Sequence, residues 1–138
     1  MPDLSRYFVR SSLLCLGVGF TLGGLILSAK GGFVSPDVWG WLPAHIILLL
    51  FGWLIQLALG VSYWILPRHT GGDRGRPRWA WGSFTAFQIG LMLVAVSLLN
   101  PWIAPAGGLL TPGVVVLAAG VIAFGMHAAP RVRATGAK

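Results

Sequence analysis

Four apolar runs, each close to the length needed to cross a bilayer, constrain this chain more than any other feature: Ser11 to Ala29, Pro43 to Leu66, Trp79 to Leu99 and Leu109 to Ala129. An α-helix rises about 1.5 Å per residue, so about 20 residues cover about 30 Å of hydrocarbon. Backbone polar groups in that slab must bond within the protein, which leaves helix as the form such isolated runs take. The expectation is an all-α integral membrane four-helix bundle, with helices at about 11–29, 43–66, 79–99 and 109–129 forming a single transmembrane domain over residues 1–138. Only 9% of residues are charged and 56% are hydrophobic, which excludes a soluble domain of this size. The connections are short and leave no room for a catalytic lid or a nucleic-acid module.

Basic residues set the expected orientation. Arg6 and Arg10 precede the first run, Arg68, Arg74, Arg76 and Arg78 separate the second from the third, and Arg131, Arg133 and Lys138 follow the fourth. Only Lys30 falls on the other side, so the positive-inside bias predicts an N-in/C-in multi-pass protein of the inner (cytoplasmic) membrane. These charges are spread over three membrane-flanking segments without aromatic interleaving, a pattern that fits lipid headgroups and excludes a nucleic-acid partner. The segment "LILSAKGG" is a poor cleavage site, so the first run reads as a retained anchor rather than a signal peptide.

Packing is partly legible. Gly19 with Gly23, Ala86 with Gly90, and Gly125 with Ala129 give small-xxx-small faces, which fit a compact bundle or a homo-oligomer. Cys15 is alone and reads as a small packing residue. Trp39, Trp41, Trp79, Trp81 and Trp102 fall at the expected boundaries, where indoles anchor a span.

The second run carries one polar stripe. At about 100° per residue, Gly52, Gln56 and Tyr63 fall within roughly 20° of His45. Facing lipid would leave these groups unsatisfied, so the stripe should face the bundle interior or a partner. Two readings stay open. An imidazole nitrogen at His45 as a metal ligand, with Gly52 beside it for a flat macrocycle and Gln56 as a propionate or neighbouring contact, is what a haem between helices needs. Alternatively, His45 is an interfacial residue bonded to a carbonyl or to Asp37, and Gly52 is a helix-packing contact.

The stretch "HIILLLFGWLIQLALGVSYWILPR" resembles the second helix of haem-copper oxidase subunit I and the related nitric oxide reductases. "YFVRSSLLCLGVGFTLGGLILSA" is similar to that family's first helix and "RPRWAWGSFTAFQIGLMLVAVSLL" to its third, so the resemblance covers most of the chain. In the family the outer-end histidine of helix two ligates the low-spin haem. The resemblance therefore assigns that role to His45 and matches "GVSYWILPR", Gly60 to Arg68, to the family's closing segment. It implies a small respiratory-chain protein that binds haem b through His45 for electron transfer, or an accessory subunit of an oxidase or nitric oxide reductase in a larger respiratory complex.

The departures bound that implication. With three histidines and no intramembrane acid, the chain cannot build a haem-copper centre, so no oxidase activity is expected from it alone. His69 and His127 are expected at the end of the bundle opposite His45, so a sixth ligand would come from a symmetry mate or another subunit. His69 reads as a loop residue and His127 as a cap or interfacial residue. Carrier function would normally use intramembrane carboxylates, which the runs do not contain. The alternative of a different class is a cofactor-free structural or assembly subunit that docks through the helix-two stripe.

Overall fold

The computed structural model describes residues 1–67, 77–100 and 108–132. Among the described residues all regular structure is helical, and four helical stretches are long and apolar enough to span a membrane. The first span is α1, Asp3–Lys30. The second opens with a 3-10 helix, Pro36–Trp41, and continues through α2, Leu42–Ile47, a π-helical segment, Leu48–Ile55, and α3, Gln56–Ile65. The third is α4, Pro77–Leu99, and the fourth is α5, Leu110–Ala128, closed by a 3-10 turn, Ala129–Arg131.

Two antiparallel pairs make the bundle: α1 lies along the second span, and α4 lies along α5. The beginning of α1, the end of α3, the beginning of α4 and the end of α5 share one end, where Leu4, Phe8, Tyr63, Ala80 and Phe124 form a buried cluster. This cluster explains why α1 starts at Asp3 rather than near Ser11. Phe8 meets Phe84 edge-on at 4.8 Å and Phe124 at 6.0 Å, so the first turns are held by aromatic packing as well as by backbone bonds.

Small residues fix the α4–α5 distance. A methyl group at Gly120 would fall 2.6 Å from the backbone nitrogen of Phe87, and one at Gly90 would collide with the backbone of Leu117. The close face of α5 therefore runs through Gly113 and Gly120, while Gly125 has open space beside it. The close approach expected at Gly125 with Ala129 falls instead five residues earlier, because Phe87 and Ser83 sit opposite Gly120.

The pairs are tied together by Arg131, which is only 2% exposed. Its Nε donates to the carbonyl of Pro67 at 2.9 Å, and its Nη2 donates to those of Leu66 at 2.8 Å and Tyr63 at 3.2 Å. The last carbonyls of a helix lack intrahelical donors and carry the negative end of its dipole, so a guanidinium folded over them satisfies both needs. Its carbon also sits 5.3 Å from the Tyr63 ring centroid.

Two predictions follow from backbone contact and from the planar fork. Gly120→Val should lower stability by about 1–3 kcal/mol, because backbone cannot retreat from the new side chain, whereas Gly125→Ala should be neutral or slightly stabilising. Arg131→Leu should cost about 2–3 kcal/mol, with Arg131→Lys recovering only part of it. Thermal melts followed by circular dichroism in mild detergent measure all four variants.

Candidate functional site

The stripe of the second span faces the bundle interior, along α1. From one end to the other, the seam pairs Gly60 with Ser5 and Phe8, Gln56 with Ser11, Gly52 with Cys15, and His45 with Gly19 and Gly23. Steps of about four residues down one helix match similar steps up the other, as an antiparallel pair requires. In a uniform α-helix, residues four apart drift by about 40° around the axis, which would carry Gly52, Gln56 and Gly60 off one line. The π-helical segment, closed by the Gln56 N–H bonding to the Phe51 carbonyl, has more residues per turn and reduces that drift between Gly52 and Gln56.

Gln56 is fully buried, and its Nε2 donates to the Ser11 hydroxyl. Ser11 donates in turn to the Tyr7 carbonyl at 2.6 Å. The Gln56 Oε1 atom has no hydrogen-bond partner among the described residues. Lower on the seam, the buried Ser5 hydroxyl donates to the Gly60 carbonyl. Gly52 is filled from two sides: a methyl group there would lie 2.8 Å from Cys15 Cβ and 3.2 Å from Leu91 Cδ2. Within this protomer, the room beside Gly52 belongs to a helix crossing.

His45 ends the seam. Its Nδ1 is 2.8 Å from the Gly19 carbonyl, and a carbonyl only accepts, so Nδ1 carries the hydrogen. The ring lies on Gly23, where a methyl group would come within 2.7 Å of Cε1, so the Gly19–Gly23 face is the bed for this imidazole. In a neutral imidazole Nε2 is then the nitrogen that carries the lone pair, and it makes no protein hydrogen bond among the described residues. His45 is half-buried and lines a surface groove with Gly23, Ile26, Leu27, Lys30, Trp39 and Leu42. Asp37 does not reach the ring; its carboxylate accepts from Ser35 at 2.8 Å at the start of the 3-10 helix.

The predicted residues therefore share a seam without converging on one cavity. His45 opens to the groove, and Gly52 and Gln56 are engaged inside. His127 lies at the opposite end, stacked on Tyr63 at 5.9 Å, and His69 and Trp102 fall outside the described residues. Among the described residues no group of three or more His, Cys, Asp or Glu side chains comes together as a metal site. Arg131 as a helix clamp was missed by sequence reasoning, because "APR" offers no pattern that separates it from the topological arginines.

No family model, curated protein or solved structure matches this chain at a significant level.

The chemistry of the seam predicts an asymmetry. Ser11→Ala removes the acceptor of a buried amide and should cost about 1–3 kcal/mol, whereas Gln56→Leu removes an amide with an unmet oxygen and should be neutral or mildly stabilising. Equilibrium unfolding in mixed micelles distinguishes the two; equal losses would contradict the arrangement.

Proposed function

We propose that this multi-pass membrane protein is a small respiratory-chain protein, cytochrome oxidase subunit I-like, in which His45 would hold haem b for electron transfer, or which acts as an accessory subunit of an oxidase or nitric oxide reductase. The supporting observation is the state of the imidazole. Nδ1–H is held by the Gly19 carbonyl, the ring is seated on Gly23, and Nε2 keeps its lone pair beside an open groove. Histidines that ligate iron commonly donate their other ring N–H to a backbone carbonyl, which fixes tautomer and ring orientation. Haem b, when bound, would supply one-electron transfer.

The remaining residues of the chain fit this reading in part. His45 fits as a donor. Gly52 and Gln56 hold the first two spans together and so fix the helix that presents His45, rather than clearing space for a ring. The sixth ligand would come from a second copy or another subunit, since His127 lies at the far end of the bundle. The chain is accordingly proposed to work as a homo-oligomer or within a larger respiratory complex, in the inner membrane, with both ends on the cytoplasmic side as the arginine distribution favours.

A second reading is favoured by the engagement of Gly52 and Gln56: a cofactor-free structural or assembly subunit. The two readings separate in a reduced-minus-oxidised absorption spectrum of the protein purified in mild detergent. The haem reading expects a b-type signal that disappears in His45→Ala and returns in part with added imidazole in His45→Gly. A colourless, well-folded wild type would sink it and leave the structural subunit.

A further inference from the structure

We infer that the face of α1 beginning at Arg10 is a site for one anionic phospholipid, with the phosphate at Arg10 and Arg78 and an acyl chain in the groove that continues along α1. The site needs only the membrane-spanning fold and is independent of the haem reading.

Depth comes first. Arg10 and Lys30 stand about 20 residues apart on α1, which the helical rise converts to about 30 Å, one hydrocarbon thickness. With Lys30 at one boundary, Arg10 lies at the other, and the turns before it reach headgroup depth. There the half-exposed Tyr7 ring meets Trp81 edge-on at 5.4 Å, and both rings lie against Phe84, at 6.4 and 6.1 Å. Rings with a polar tip settle among headgroups, and this contact also joins two helices. Arg10 is one turn beyond Tyr7 on α1, and Arg78 is one turn before Trp81 on α4. Both arginines are exposed, and neither makes an ion pair or hydrogen bond among the described residues, whereas Arg6 is paired with Asp3 at 3.3 Å.

The apolar half of the site follows from helical position. At about 100° per residue, Gly17 and Thr21 fall within roughly 20° of Arg10, and Leu13 and Leu14 flank that line. These residues line a shallow groove with Val18 and Leu22. Nothing lies within 4 Å of where a Gly17 side chain would begin, so the floor is open, while Leu14, 71% exposed, stands beside it as a wall. The Thr21 hydroxyl donates to the Gly17 carbonyl at 2.9 Å, so it presents no unmet donor to the groove. From Arg10 to Thr21 the helix rises about 16 Å, the depth of one leaflet. A cation at the boundary with an apolar channel one leaflet deep behind it fits a phospholipid, chain inward and phosphate at the arginines. A second copy would set the same arginines against one another, whereas a phosphodiester brings the charge that this face lacks.

Native mass spectrometry of the full-length protein in mild detergent, titrated with phosphatidylglycerol or with phosphatidylcholine of the same chains, tests the site. The wild type should retain one phosphatidylglycerol in preference to phosphatidylcholine. Arg10→Gln should raise that dissociation constant about fivefold, while Lys30→Gln, the same change of charge at the other end of α1, should leave it unchanged. Gly17→Leu, which fills the groove from an open position, should weaken binding as well, with helicity by circular dichroism unchanged. Equal retention of the two lipids, or equal losses in Arg10→Gln and Lys30→Gln, overturns the site in favour of undirected attraction to charge. A loss in Arg10→Gln without one in Gly17→Leu overturns the groove and reduces the contact to a headgroup alone. None of these outcomes touches the haem spectrum, so the two proposals fail separately.

Discussion

The seam between the first and second spans is the constraint on which the rest of this bundle depends. In hydrocarbon, hydrophobic burial gives helices little reason to associate, so contact must come from close packing and from polar groups that have nowhere else to bond. The seam supplies both. Ser5 bonds the Gly60 carbonyl, Gln56 bonds Ser11, and His45 bonds the Gly19 carbonyl, while Gly52 and Gly23 let Cys15 and the imidazole approach the opposite helix. Sliding one helix by a residue would separate all of these partners at once. Register is therefore specified by a handful of small and polar side chains in a surface otherwise made of interchangeable aliphatic groups.

The second helix pair is built differently. Gly90, Gly113 and Gly120 bring α4 and α5 to backbone contact, so dispersion does there what hydrogen bonds do on the seam. The pairs are joined by the core cluster of Cys15, Leu48, Phe87, Leu91 and Leu117, by the aromatic cluster around Phe8 and Phe124, and by Arg131, whose guanidinium closes the end of α3 from the end of α5. An arginine at a span terminus thus works as a cap. Sequence position explains its charge, and only the fold explains its three carbonyl partners.

The legible part of this structure was the part governed by one-dimensional regularities. Run length identified four spans, and angular position grouped His45, Gly52, Gln56 and Tyr63 on one face. Gly19 and Gly23 were recognisable as a close-approach face because their spacing is a property of the helix alone. What was illegible depends on distant partners. The π-helical segment leaves no mark in "LLLFGWLI", whose apolar residues would suit an α-helix equally. Gly125 looked as suitable for packing as Gly120, and the choice between them is made by where Phe87 and Ser83 arrive from α4. The same limit applies to His45. Its position on the stripe was readable, but which ring nitrogen is spent on a carbonyl and which stays open is decided by Gly19, 26 residues earlier.

One polar feature of this bundle, the His45 ring, opens onto a surface groove. The groove at His45 lies at the end of its span, between Lys30 and Trp39, where water, headgroups and a cofactor edge all compete for the lone pair. Selection at that position therefore has to come from geometry rather than from need. The imidazole is already oriented by Gly19 and supported by Gly23, so an incoming ligand would not have to order it, and the loss of rotamer freedom that binding normally entails is reduced. The haem reading therefore turns on how this ring is held, with Nδ1 at the Gly19 carbonyl and the ring on Gly23, rather than on the presence of a histidine.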